Sequence, residues 1–375
     1  MFDRKKYYRF FSGAAVPLLF LVVSGVAIPL AKFSGVYLIS EIITRLSRDS
    51  FLVLSLLLPV MAGMGINFGM VLGAMAGQIG LVFATDWGVA GVPALLAAAL
   101  IGTPISIILG WFGGAVLNRA RGREMITSMM LGLFVTGLYQ FFLLYLCGDS
   151  SVMPIALIPL RNTKVLLSRG FGVRNGFELS GAGSLDKFLR LRIPFGKGFI
   201  NVPVGTFLVI AVICVFLIWF RKTKLGQDMR AVGLDLSTSG TSGINVNKVR
   251  VQSIILSTVL ACYGQIIYLQ NMGTLNTYNG ADQAALFAAA ALLVGGATVS
   301  KASIVNALVG TGLFHLMFVV MPVAGKTLTG QAAIGEYFRI FVSYAVVTIA
   351  LVLHAWRRQK DKEMIRELEM GRNAG

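Results

Sequence analysis

Charge is what this chain most lacks. Only 13% of its 375 residues are Asp, Glu, Lys or Arg, against roughly 25% in an ordinary soluble domain. A soluble domain needs a charged shell, and this composition cannot build one. Acidic residues are scarcest, 16 against 33 Lys and Arg, and most of the charge sits in short stretches between long apolar runs. A bilayer imposes that segregation, because a charge at its centre costs at least a few kcal/mol. With 56% hydrophobic residues, the chain reads as an all-α polytopic membrane protein.

Other absences narrow the function. No G-x-x-x-x-G-K-[ST] phosphate loop is present: Gly196-Lys197 and Gly325-Lys326 have Leu191 and Val320 where the upstream glycine would stand. No G-x-S-x-G nucleophile motif is present either. The chain therefore reads as no enzyme, with no catalytic residues and no cofactor of its own. The three cysteines, Cys147, Cys214 and Cys262, fall in or at the edge of apolar runs and match no metal-site spacing, so they read as structural thiols and no metal is expected. The net charge of +17 does not mark a nucleic-acid binder: Lys and Arg cluster beside apolar stretches, as orientation signals do, and no RNA-binding signature accompanies them.

A span needs about 20 apolar residues. Ten segments are plausible, near 13–33, 51–66, 69–85, 91–117, 125–147, 202–220, 251–270, 284–299, 303–322 and 335–356. The first follows Arg4, Lys5, Lys6 and Arg9. Its run from Gly13 to Ala31 is too long for a signal-peptide core and lacks a small-x-small cleavage site, so it reads as a retained span. The apolar stretch from Phe51 to Ala84 is too long for one helix, and its Gly-rich centre from Ala62 to Gly69 is the expected break. An inner-membrane protein with its N- and C-termini cytoplasmic places twenty of the 33 basic residues on the inside, in line with the positive-inside rule. Segment 149–201 then lies outside as a loop that is mobile or contains a hairpin, and 221–250 lies inside. No linker divides the chain, so 1–375 reads as one transmembrane domain.

With those boundaries, Asp and Glu occur only at span ends, such as Glu336, and His315 is the one mid-span ionisable candidate. Ion-coupled carriers need such groups near the midplane, so energy is expected from elsewhere. Asn67, Gln78, Tyr139, Gln140 and Gln265 are the polar candidates for a solute path. They suit a neutral, hydroxyl-rich solute, although buried Asn and Gln also serve to join helices. Between the sixth and seventh spans, about thirty residues do what five could. They read Thr223-Lys-Leu-Gly226-Gln-Asp228-Met-Arg230-Ala231-Val232-Gly233-Leu-Asp235, then Gly243-Ile244. Two short helices kinked at Gly233 are expected there. Composition alone favours a solvated basic loop.

Thr-x-x-Gly-x-x-x-Arg-Ala-Val-Gly, followed by Gly-Ile, resembles the motif of the ribose- and galactoside-type permeases of bacterial ATP-binding-cassette importers. The branched-chain amino acid and nucleoside permeases are similar to them. Ala291 to Val299 and Gly63 to Gly80 resemble two further stretches of that family. Asp235 stands where the pattern usually has Asn, and Thr238-Ser239 where it has an Ala pair. The resemblance covers roughly 51–148 and 202–356. It implies ten helices in two inverted halves and a homodimer or pseudodimer of permease chains. It also implies an external solute-binding protein and a cytoplasmic ATP-binding subunit that uses ATP and Mg. Gly226, Asp228, Arg230, Ala231, Gly233, Asp235, Gly243 and Ile244 would form the coupling region on that subunit. Simple sugars are the first expectation for the solute, nucleosides the second and branched-chain amino acids the third. A self-sufficient carrier or channel, or a membrane-embedded enzyme or assembly factor, are the rival classes.

Overall fold

A computed structural model describes residues 4–145, 177–179, 184–187, 189–195, 198–331 and separate positions between 333 and 352. Cys147, Glu336, the basic tail 357–375 and most of the 149–201 loop lie outside the described residues. In chain order the first part holds α1 (Arg4–Ala31), α2 (Gly35–Ser55), α3 (Leu57–Met61), a 3-10 turn (Phe68–Met70), α4 (Val71–Asp86), α5 (Val92–Arg119) and α6 (Glu124–Tyr145). Short elements follow: β1 (Phe177–Glu178), α7 (Ser184–Lys187), β2 (Arg190–Phe195) and β3 (Gly198–Pro203). The second part holds α8 (Val204–Phe220), α9 (Lys224–Leu234), α10 (Leu236–Thr241), α11 (Val246–Met272), β4 (Thr274–Leu275), α12 (Ala284–Val294) and α13 (Ile304–Thr329).

The protein is a helical bundle suited to a membrane. Among the described residues, 5 helices are long and apolar enough to cross a bilayer unaided, and α8 with α9 forms a further pair bent by 74°. The expected span 335–356 lies largely outside the described residues, and two others fall short for visible reasons. Helix α12 has only 11 residues, and α2 carries charge along its length. Large apolar side chains such as Leu100 on α5, Phe134 on α6 and Val215 on α8 point outward, more than 60% exposed. That is the surface lipid requires.

The second span differs most from its expected 51–66. Its helix begins at Gly35, where the Ser34 side chain accepts from the Tyr37 N–H. It then runs through Glu41, Arg45, Arg48 and Asp49. These charges pair within the bundle instead of seeking water: Arg45 Nε lies 2.7 Å from Glu41 Oε1, and Arg48 Nε 3.1 Å from Asp49 Oδ2. The helix breaks at Leu56 for a covalent reason. Pro59 has no N–H to give the Ser55 carbonyl four residues back. The Ser257 hydroxyl of α11 donates to that carbonyl instead, at 2.8 Å, and pins the kink.

The expected interruption near Gly63 is present. Both Gly63 and Gly65 have positive φ, 71° and 72°, and the chain turns there from α3 into α4. Beyond it, α4, α5 and α11 pack mutually, α2 packs on α12 and α13, and α2 also meets α11. Each part of the chain thus lends a long helix to the other. Glycine permits the closest of these contacts: a Cβ on Gly73 or Gly77 would strike the carbonyl oxygen of Thr258 or Cys262.

Above α11 lies what is described of the 149–201 loop. Strands β2 and β3 form an antiparallel hairpin from Arg190↔Pro203 to Phe195↔Gly198. Strand β1 pairs with β4. Asp186 of α7 accepts from Gln270 Nε2 at 3.1 Å and from the side chains of Asn271 and Thr206.

Candidate functional site

The stretch from Thr223 to Ile244 folds as an elbow, and each motif residue has a local reason. Thr223 caps α9, its hydroxyl oxygen accepting from the Gly226 N–H at 3.3 Å. Gly226 lies where the chain doubles back from α8, and a Cβ there would overlap the Phe220 carbonyl. Gly226, Met229 and Val232 face inward, at the i, i+3, i+6 spacing of one helix face. Asp228 and Ala231 are half-buried and Arg230 is exposed. Arg230 has no ion pair among the described residues.

The expected kink at Gly233 is displaced. Gly233 lies inside α9, and the bend comes at Asp235, whose backbone is extended (φ −154°, ψ 116°). The reason is capping. Asp235 accepts from the N–H groups of Ser237 and Thr238 at 2.8 and 3.3 Å and from both hydroxyls, so it starts α10. Those hydroxyl and backbone bonds hold its carboxyl down to about 2. An asparagine oxygen would accept the same backbone bonds, which accounts for Asp standing where the pattern has Asn. Gly233 has another task. A Cβ there would run into the Met61 carbonyl, so α9 sits directly on the turn that ends α3.

Gly243 and Ile244 close α10 with two bonds. Gly243 N–H donates to Gly240 O at 3.2 Å and Ile244 N–H to Ser239 O at 3.1 Å. With Gly243 at φ +83° and Ile244 packed on the core, this is a Schellman motif. The elbow also projects Leu234, 81% exposed, beside Leu236. Sequence reasoning passed over both leucines, because nothing in their pattern separates an exposed one from a buried one.

Four of the five expected path residues converge on one turn, 276–280, between α11 and α12. Gln78 Nε2 donates to the carbonyls of Asn276 (2.9 Å) and Thr277. The Tyr139 hydroxyl donates to Thr277 O at 2.8 Å. Gln140 Nε2 donates to Asn279 Oδ1 at 2.8 Å, and Gln265 Nε2 to Gly280 O at 3.1 Å. The fifth, Asn67, lies elsewhere and caps the 3-10 turn, accepting from Gly69 N–H at 2.9 Å. The amides therefore hold a loop in place. Among the described residues, Gln78 Oε1 and Gln265 Oε1 remain buried without a hydrogen-bond partner.

That turn roofs a cavity of about 460 Å3. Its mouth carries exposed Asn276, Asn279, Asp282 and Gln283, and its floor is Leu52, Val53, Ala288 and Ala291. Asp49 and His315 also line it, with His315 Nε2 3.0 Å from Asp49 Oδ2. The expected boundary at Phe51 left Asp49 outside the second span; with α2 starting at Gly35, Asp49 lies within the helix, half-buried against His315. The missed signal was Glu41, Arg45, Arg48 and Asp49 at spacings of four, three and one, which lie along one helical face. A second buried pair stands at the other end of α11. Arg250, fully buried, donates to Glu124 Oε1 at 2.5 Å.

A bundle of apolar helices with a capped polar elbow on one end and a polar cavity toward the other has the build of a membrane permease. Residues 38–353 match the family described as the branched-chain amino acid transport system / permease component, and the chain belongs to that family. It is 25% identical over 351 residues to the ribose import permease protein RbsC of Bacillus subtilis, covering 88% of this chain and 93% of that one. It is 27% identical over 168 residues to the probable ABC transporter permease protein YphD of Escherichia coli, covering 45% of this chain and 48%, about half, of that permease. Over 147 residues it is 30% identical to the nucleoside ABC transporter permease protein NupC of Lactococcus lactis, 38% of this chain and 44% of that one. No solved structure matches the chain.

Proposed function

We propose that the chain is the membrane-spanning permease subunit of an ATP-binding-cassette importer for a small neutral solute, a simple sugar first and a nucleoside second. The elbow α9–α10 carries this reading. It is built to be stiff by its caps and its Schellman closure. It presents Arg230 and Leu234 to a partner, and its Gly233 abuts the Met61 carbonyl that ends a spanning segment. A cytoplasmic ATP-binding subunit, using ATP and Mg, docks there. A second permease chain completes the pathway, and an external binding protein delivers the solute. Both termini are cytoplasmic in this arrangement, and ten spans place the 149–201 loop outside.

The buried Asp49–His315 pair favours a second reading, a proton-coupled carrier, since such groups are what that mechanism needs. One experiment separates the two. The chain is reconstituted in liposomes with and without its ATP-binding subunit and binding protein, and uptake of labelled ribose, galactose and adenosine is followed. Uptake is expected only with the ATPase and ATP present. Accumulation by the chain alone, driven by a pH gradient, overturns the proposal in favour of the carrier.

A further inference from the structure

The ion pair at the elbow end of α11 belongs neither to the motif nor to the cavity. Arg250 is the fifth residue of α11 and is fully buried. Its Nη2 donates to Oε1 of Glu124, the first residue of α6, at 2.5 Å. Only that nitrogen is engaged: Nε and Nη1 are buried without a hydrogen-bond partner among the described residues. A pair kept for stability would be expected to fork, two nitrogens on two oxygens. One so incompletely met adds little, because desolvation of the charges offsets their attraction. What the pair does fix is where α6 starts relative to α11. Among the described residues α6 packs on α4, α5 and the 3-10 turn, α11 packs on α2, α4 and α5, and the two share no extended face.

The pair stands at a junction. Helix α11 starts two residues after Ile244 closes the elbow. On α6, Met125 lies against Gly65, and the Ser128 hydroxyl accepts from the Phe68 N–H at 3.1 Å. On α11, the Ser253 hydroxyl donates to Met64 Sδ at 3.5 Å. Both helices thus hold the Gly-rich break between α3 and α4, and the ion pair ties one to the other there. At their far ends they meet again: Tyr139 and Gln140 of α6 and Gln265 of α11 hold the turn 276–280. Glu124 and Tyr139 are 15 residues apart, about 22 Å along a helix. We propose that Arg250 and Glu124 are positioning residues for transport, joining α11 to α6 so that movement of the elbow reaches the turn 276–280. The proposal rests on the importer reading for the source of that movement. The elbow leads directly into α11, and the ion pair carries its displacement across to α6. A charge-assisted bond is short and directional, so α6 follows α11 instead of sliding past it.

The test uses the complete transporter, permease with its ATP-binding subunit, in nanodiscs, and follows hydrogen exchange with and without ATP plus orthovanadate. In the unmodified protein two regions are expected to respond, 224–241 at the elbow and 274–283 at the turn. The Arg250→Met/Glu124→Gln double variant strands no charge, so its unfolding temperature should stay within about 4 °C of the unmodified protein. In it the elbow should still respond, while the nucleotide-induced change at 274–283 should fall about fivefold or more. Each single variant should weaken that change as much as the double, since the two residues act as one unit. A turn that still responds fully in the double variant overturns the proposal. So do a turn that never responds in the unmodified protein, and single losses that multiply in the double. Loss of the elbow's response in the double variant, or a much larger fall in its unfolding temperature, would mark the pair as merely structural and also overturn it. Failure of ATP-dependent uptake of labelled ribose, galactose and adenosine, with the expected exchange pattern intact, would instead count against the importer reading alone.

Discussion

The two ends of the bundle are held by opposite means. At the elbow, backbone lies against backbone: Gly233 on the Met61 carbonyl and Gly226 on that of Phe220, with no side chain between. At the cavity, long amides reach across from α4, α6 and α11 to suspend one turn. A steric contact between backbones has no slack and passes movement on. Amide hydrogen bonds can be remade, and the unpaired Gln78 and Gln265 oxygens leave spare acceptors for doing so. The difference suits an end that transmits and an end that yields.

The sharpest way to break this contrast is Gly233→Val. The neighbour is backbone and cannot rotate away, so overpacking is expected to cost about 1–3 kcal/mol and to uncouple solute-stimulated ATP hydrolysis from transport. Thermal unfolding and coupled ATPase assays check it. Normal coupling in this variant would mean that α9 does not act through the Met61 contact. At the cavity end, Gln78→Leu should be milder, about 1 kcal/mol. It strands two carbonyls but also removes an unpaired buried oxygen. Faster hydrogen exchange confined to 274–283 is the expected signature, and exchange spread through α4 would contradict it.

The smallest effect concerns pH. Asp235 has its carboxyl lowered to about 2 by the Ser237 and Thr238 bonds, so its cap is present above the ordinary carboxylate range and lost only as pH falls toward 2. Coupling should thus show no titration from Asp235 between about pH 5 and 8, and Asp235→Asn should keep the backbone cap. A coupling profile over that range that flattens in Asp235→Asn would show the residue doing more than capping.

Much of this was legible in the residues. Glycine at 63, 65, 226 and 243 marks turns, because steric need selects glycine wherever it arises. The break between the second and third spans followed from that, while the two-helix elbow was read from an expected kink at Gly233. The kink was displaced from Gly233 to Asp235 because a glycine serves close approach as readily as a bend, and spacing does not tell the two apart. Gln78, Tyr139, Gln140 and Gln265 stood out as polar groups in apolar runs, but the partners of Gln78, Tyr139 and Gln265 are backbone carbonyls some distance along the chain, and backbone carbonyls leave no trace in a sequence. Asp49 was hidden by a boundary. A hydropathy window reads Glu41 to Asp49 as loop, whereas the bundle pairs those charges and keeps the helix going.

The kink in the second span makes it a balance beam. Ser257 grips the Ser55 carbonyl at 2.8 Å, six residues from Asp49 at the cavity and six from Met61 at the elbow. At 1.5 Å per residue each arm is about 9 Å. If the beam turns on that fulcrum, a displacement received at Met61 returns at Asp49 with the same size and the opposite sign.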